Sequence, residues 1–305
     1  MLDLTPVERV RSGPGAPACS RFGESARVPD AWTSPKRLAM PTDQPPRIVQ
    51  MADERQRDPV SRTLEALSWI ICEAGPSFGV REMATALGIS PSAAHRALTA
   101  LALNGLVRQD GNGRYLIGME TYRLAQVALG RFPLKHIAMP HLQSLVDACD
   151  ETVLLGVYDP DRAQMIFAAA VESSSPLRYA VRLNEWVPLY LGASGLGILA
   201  FLPVQVRALA IAKASEASTD KAFASKLEAQ IEKVREDGFA QSFAQRVEGA
   251  VGFAAPIFSP SGLVMGDVCI TLPEQRYAED RREKLADGVR QCANAISRSI
   301  QSPGF

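Results

Sequence analysis

Residues 90–118 read SPSAAHRALTALALNGLVRQDGNGRYLIG. Ser90 is placed to cap a helix with Pro91 at its first position, where proline's missing N–H would be unpaired anyway. Ala94, Ala97, Leu98 and Leu101 then share one face at three- and four-residue spacing, and Ser92, His95, Arg96 and Thr99 share the opposite one. After Asn104-Gly105, the runs LVRQ and RYLIG flank DGNG, whose residues tolerate positive φ, so a two-stranded hairpin follows. Upstream, VREMATALG (80–88) reads as a short helix with Met83 and Leu87 four apart and Gly88 as its stop. SRTLEALSWIICEAG (61–75) reads as another, with Leu64, Leu67, Ile70 and Ile71 on one face and Gly75-Pro76 at its end. Three helices, the last two joined by a glycine turn, followed by a glycine-tipped hairpin make a winged helix-turn-helix over 59–118.

On the N-terminal side, residues 1–58 hold eight of the 21 prolines, two aromatics (Phe22, Trp32) and no helix or strand periodicity. Such a segment buries too little apolar area to offset its ordering entropy, so a disordered tail is expected. A translation start at Met40 or Met51 is the alternative. Downstream, METYRLAQVALGRF predicts a linker helix over 119–133 with Tyr122, Leu124, Val127 and Ala128 apolar and Pro133 as its end. LKHIAMPHLQSLVDACD predicts a helix bent at Pro140, with Leu142, Leu145, Val146 and Cys149 inward. The rest is mixed. TVLLGVY, AQMIFAAAV, LRYAVRL, FAQSFAQ, AVGFAAPIF and LVMGDVCITL are strand candidates, the last two joined by the SPSG turn. SGLGILAFL, PVQVRALAIAKA, TDKAFASKLEAQIEKVREDG and AEDRREKLADGVRQCANAISRSI are helical candidates. Short turns and the lack of a glycine-rich phosphate loop predict a largely antiparallel sheet covered by helices over 134–305, an α+β arrangement.

The 305 residues carry 33 Lys+Arg and 33 Asp+Glu, so there is no whole-protein basic field and any DNA contact must be local. Between Val60 and Arg131, seven arginines face five acids, a modest excess that suits a footprint needing a dimer. Five scattered cysteines without a CxxC pair argue against disulfide and cysteine-zinc scaffolds and suit a reducing cytoplasm. The first residues have no apolar core of a secretory signal. Trp186–Val206 is long enough to span a bilayer, but its glycines and prolines read as strand, turn and short buried helix. On the third helix, Arg96 can pair with a phosphate or read guanine bidentately, while Ser92 and Thr99 can hold phosphate oxygens and His95 adds a weaker contact. In the hairpin, Arg108 and Arg114 flank DGNG and would point toward a minor groove or the DNA backbone; plain solvation is the alternative.

The SAAHRAL stretch at 92–98, the wing ending YLIG (115–118), the ASG turn at 193–195 and EGAVGFAAPIF (248–258) together resemble the IclR family of transcriptional regulators, over about Val60 to Ile300. The resemblance implies a C-terminal effector domain of GAF-like or profilin-like fold, a homodimer or tetramer assembled through the DNA-binding half, a double-stranded DNA operator and no cofactor. It also implies an effector pocket lined by Tyr179, Val187, Ala193, Ser194, Gly195, Ser242, Gly252, Cys269 and Thr271. Bottom-up, Asp267, Cys269 and Thr271 alternate to one face of their strand, without revealing which face. Ser242 stands where some members carry an acid, and Leu196 where many carry lysine.

Ser194 precedes an apolar helical run. A helix N-terminus favours an anion, and small or hydroxyl-bearing neighbours favour a small organic acid over a sugar. The alternative is that GASG is a tight turn whose serine caps the helix. For enzymes the pattern is poor: His136 and His141 are five apart with no glutamate following the first, Ser194 lacks a nucleophile elbow, and Cys269 lies on a strand. No metal or catalytic residue is assigned. A metabolite-binding enzyme with a winged module for oligomerisation is the competing class.

Overall fold

The computed structural model describes residues 58–179, 181–217 and 220–301; the expected tail lies outside them, apart from Asp58. Helices α1 (Pro59–Cys72), α2 (Val80–Ala86) and α3 (Pro91–Leu103) come first. Asp58 caps α1 by accepting from Ser61 N at 3.2 Å, and Ser90 caps α3 by accepting from Ala93 N at 3.2 Å. Gly88 takes φ +63°, a conformation that costs a glycine little, and so turns the chain between α2 and α3. The buried faces meet in one cluster of Ala66, Ile70, Met83, Ala94, Leu98 and Leu101. Trp69 sets its ring edge-on to Phe78 at 5.6 Å, and Phe78 stacks on Tyr115 at 6.2 Å.

For α1 the expected inward face is corrected. Leu64 and Ile71 are 61% and 49% exposed, while Ala66, Trp69 and Ile70 are buried. Trp69 carries the largest apolar area of the helix, and turning it onto Phe78 rotates Leu64 and Ile71 outward.

Strands β1 (Val107–Gln109) and β2 (Tyr115–Ile117) form the wing, with Arg108 opposite Leu116. Asp110 closes the tip by accepting from the backbone N–H of Asn112 and Arg114 at 2.9 and 2.8 Å. Helix α4 (Met119–Gly130) follows and buries none of its residues; Met119, Tyr122, Leu124, Val127 and Leu129 are all exposed. Helix α5 (Leu134–Cys149) contains Pro140 and buries Leu134, Ala138, Leu142, Leu145 and Val146.

The remaining strands, β3 (Thr152–Asp159), β4 (Gln164–Val171), β5 (Val187–Pro188), β6 (Ala240–Phe243), β7 (Ala250–Phe258) and β8 (Val264–Pro273), form one antiparallel sheet. Their order is β5-β4-β3-β8-β7-β6. Side chains alternate between its two faces. Val153, Leu155, Phe253, Ile270 and Leu272 pack against α5 and α9 (Arg282–Gln301). Leu154, Phe167, Ala254 and Cys269 pack against α6 (Gly192–Leu199), with α7 (Val204–Ala217) and α8 (Phe223–Asp237) outside it. Burial on both faces explains why β3 and β8 read as near-continuous apolar runs.

Two expectations change here. LRYAVRL is not a strand in its described residues: Arg178 pairs with Glu172 at 2.9 Å, Tyr179 donates to Glu248 O at 2.9 Å, and the sheet edge falls to the two-residue β5. Those side chains take partners in loops, so no ladder forms. The apolar stretch from Trp186 to Val206 breaks into β5, α6 and the start of α7, and no described helix is long and apolar enough to cross a membrane.

Candidate functional site

The exposed face of α3 carries Ser92, His95, Arg96 and Thr99, all open to solvent. The cap at Ser90 and the burial of Ala94, Ala97, Leu98 and Leu101 fix the rotation of the helix, so these four side chains point away from the core. Ser92 Oγ lies 3.1 Å from Ser90 Oγ, and the Thr99 hydroxyl donates back to His95 O at 2.9 Å. Both hydroxyls still have an acceptor lone pair free for a donor. Arg96 makes no ion pair among the described residues, which leaves its planar fork available for a phosphate or a base edge.

In the wing, Arg108 is exposed on β1. Arg114 departs from the expectation that it points toward DNA. Its guanidinium donates to Ser77 Oγ at 3.0 Å, to Ser77 O at 2.7 Å and to Glu82 Oε2 at 3.2 Å, tying the wing to the start of α2. Three acceptors converge there, so folding back satisfies the fork better than extension into water. Arg114→Ala is therefore expected to leave the salt dependence of DNA binding unchanged and to cost at most about 1 kcal/mol of stability, as half-exposed pairs do. Paired salt titrations and denaturant melts measure both; a salt slope flattened by about one unit would return Arg114 to the phosphates.

The second constellation lies under α6. Gly192, at φ +73°, starts the helix, and Ala193 and Ser194 face the sheet beside Ser242 of β6, Gly252 of β7, and Cys269 and Thr271 of β8. These residues line a cleft with room of about 30 Å³, together with Gln245, Arg246 and Val247 of the loop between β6 and β7. Gly252 permits the close approach: a Cβ there would lie 3.1 Å from Ala193 Cβ and 3.2 Å from Ser242 Oγ. The face of β8 that sequence alternation left undecided is therefore the one toward α6.

Six of the nine residues expected around an effector line this cleft, namely Ala193, Ser194, Ser242, Gly252, Cys269 and Thr271. The other three do not. Tyr179 holds the loop at Glu248, Val187 pairs with Met165 at the sheet edge, and Gly195 packs against the backbone of Leu189.

Two charged residues stand outside the lining that the family resemblance implied, although alternation along β8 had already grouped one of them, Asp267, with Cys269 and Thr271. Arg246 lines the cleft and sets its guanidinium 4.5 Å above the Phe167 ring. Asp267 is fully buried on the same face of β8, and desolvation pushes its carboxyl up to about 7 against the opposing influence of the Ser194 hydroxyl and the Arg246 charge. Burial, reinforced by Asp267, pushes the Cys269 thiol up to about 12, so it stays protonated and is a poor nucleophile. The available signal was that Asp267 is the sole charge in the apolar run of β8.

A larger cleft of about 380 Å³ opens near β5 and α7, lined by Arg162, Tyr190 and Lys213 among others. Arg162 is already engaged there, pairing with Asp159 at 3.7 Å and lying 4.7 Å over Trp186. None of the residues expected around an effector borders that cleft. No cluster of His, Cys, Asp and Glu among the described residues could hold a metal ion.

A capped helix with a bare polar face, a glycine-tipped wing and a separate α+β layer with a buried polar cleft are the parts of a DNA-binding transcriptional regulator with a second domain. The IclR helix-turn-helix domain matches residues 59–111, and the bacterial transcriptional regulator IclR C-terminal domain matches residues 126–298. The chain belongs to the IclR family. It is similar to the HTH-type transcriptional regulator KipR of Bacillus subtilis, 27% identical over 233 residues that cover 74% of this chain and 90% of that protein. In structure it is similar to the IclR of Thermotoga maritima, with a TM-score of 0.61, 26% identity and coverage of 80% of this chain and 98% of that one. An IclR homolog from Microbacterium hydrocarbonoxydans, solved in complex with 4-hydroxybenzoate, gives a TM-score of 0.68 at 19% identity, over 81% and 100% of the two chains.

Proposed function

We propose that the protein is an effector-responsive regulator of a catabolic operon, whose DNA-binding domain (59–118) and linker helix (119–133) are governed by an effector domain (134–305) that takes a small organic acid. The observation that carries this reading is the cleft under α6, where an arginine and several hydroxyls converge on buried polar groups while no activated nucleophile is present. An arginine in the lining suits a carboxylate. The relative bound to 4-hydroxybenzoate is in keeping with that ligand class for this fold. The enzyme alternative lacks support: His95 and His136 are outside the cleft, and His141 sits with Ser299 at 3.2 Å.

The cleft holds room for about one water. A larger ligand enters only if the lining residues move apart. Binding is then tied to one of two arrangements of the domain, and the effector shifts their populations by its difference in affinity for them. The exposed apolar row on α4 fits a homodimer or tetramer, which would set two α3 helices in successive major grooves roughly 34 Å apart. The protein would work in the cytoplasm, on double-stranded operator DNA.

Arg96→Ala tests the DNA-binding face. It is expected to weaken specific operator binding by ~1 to 3 kcal/mol and leave the melting curve unchanged, because the side chain is exposed and unpaired. Fluorescence anisotropy with an operator fragment from near the gene measures it; equal affinity in the folded variant would remove α3 from the interface.

A further inference from the structure

The cleft beside β5 and α7 has room of about 380 Å³, within the usual range of small-molecule sites, against about 30 Å³ under α6. One wall is a stripe of α7. Val206, Leu209, Ala210 and Lys213 recur there at three- and four-residue spacing, so they share one face of the helix, apolar at first and ending in a lysine. The other wall is Pro188 and Leu189 at the sheet edge, followed by Tyr190. Leu189 and Ala210 are buried, whereas Leu209 is 41% exposed. The rim is the turn between β3 and β4, where Asp159 Oδ1 accepts from the N–H of Asp161 at 2.9 Å and of Arg162 at 3.3 Å and so fixes the backbone that carries Arg162. Charge in the lining is unbalanced: Arg162 and Lys213 stand against one carboxylate, Asp161. Lys213 is exposed and makes neither an ion pair nor a hydrogen bond among the described residues. Arg162 lies 3.7 Å from Asp159 and 4.7 Å over the Trp186 ring, contacts that leave its N–H donors without a hydrogen bond. Gln164 and Tyr190 are the only uncharged polar side chains in the lining, too few for a sugar or a nucleotide.

We propose that this cleft is a second ligand site for an amphipathic carboxylate of the fatty-acid type, whose alkyl chain lies along the α7 stripe while Lys213 and Arg162 draw its acid head. The apolar walls give affinity in proportion to the methylenes they cover, and the cations set the direction in which the chain lies. The site is separate from the cleft under α6, since the two linings have no residue in common. Leu189 nevertheless belongs to both neighbourhoods: it lines this cleft, and its backbone is the surface against which Gly195 of α6 packs.

Calorimetry on the full chain with hexanoate, octanoate and decanoate below their micelle concentrations tests the site, with octanol as the uncharged match. Affinity is expected to rise about two- to fourfold with each added CH₂, as burial of methylenes requires. Octanol binds about tenfold less tightly than octanoate, the lower end of what a hydrogen bond to a charged group contributes. Lys213→Gln weakens octanoate by about the same factor and leaves octanol as it was. Leu209→Asp, which puts a charge on the apolar stripe, removes the binding of both. Both side chains are exposed, and unchanged melting curves verify that the variants fold. No binding of any acid, no gain with chain length, or octanoate binding that ignores both Lys213→Gln and Leu209→Asp overturns the site. Acid binding that is kept in Lys213→Gln and lost in Arg246→Gln also overturns it, by moving the acid to the cleft under α6. Self-association lost in Leu209→Asp, with no acid bound by the natural protein, overturns it in favour of a second copy of the chain on this face of α7.

Discussion

Replacing Asp267 by asparagine is expected to change the pH dependence of folding stability by ~3 kcal/mol between pH 5 and pH 8. The carboxyl ionises near 3.8 when unfolded and near 7 when folded, because burial disfavours its charge. Between those values the folded protein holds a proton that the unfolded chain has lost. Stability therefore falls as pH rises through that window, is fully present below about 4, and is lost above about 7. Asparagine has no proton to lose, so this slope vanishes. Any fixed cost of burying the amide cancels when the variant's advantage at pH 8 is compared with that at pH 5. Denaturant melts of both proteins at four pH values measure it. Parallel curves would mean that the carboxyl is hydrated or paired in solution.

Gly195→Ala is expected to destabilise the effector domain by about 3 kcal/mol, the upper end of the usual cost of overpacking a rigid core. A Cβ at 195 would lie 2.4 Å from Leu189 O and 2.7 Å from Leu189 C, both backbone atoms that a rotamer change cannot move aside. The family resemblance implied this glycine in the ligand's lining; in the structure it stands against the backbone of Leu189, in the chain that leads into α6. Melting temperature and acid binding separate the two roles. A variant that melts normally and has lost only its ligand affinity would put Gly195 back in the lining.

What could be read from sequence followed the range of the interaction that decides it. The Ser90-Pro91 start, the inward face of α3 and the Asp110-to-Gly113 tip depend on neighbours within a few residues, and all three are as expected. The orientation of α1 was misread because a helix with apolar residues on more than one side is rotated by its heaviest contact, and Phe78 belongs to another element. The tie of Arg114 to Glu82 was not legible for the same reason: Glu82 is 32 residues away, and nothing in the hairpin announces it. In the cleft, alternation along β8 grouped Asp267 with Cys269 and Thr271. Only the strand order, which brings β7 and β3 to either side of β8, reveals that the carboxylate faces a glycine and a proline. Arg246 sits in a loop without periodicity, so no pattern could aim it. The family resemblance supplied most of the lining, and it missed both charges because they lie outside the positions carried over.

The contact between Gly156 and Asp267 also makes the order of substitution matter. Side chains at 156 are shut out while the carboxylate occupies that space, since even a methyl group would collide with Oδ1. With a small residue at 267 the nearest of these obstacles is gone, and the next is the end of the Met165 side chain, whose Cε would lie 2.8 Å from a Cβ at 156. A lineage that trades the acid away can fill the glycine and lock the new floor in place, after which the acid cannot return. The two sites are epistatic, and the cleft's chemistry is easier to leave than to regain.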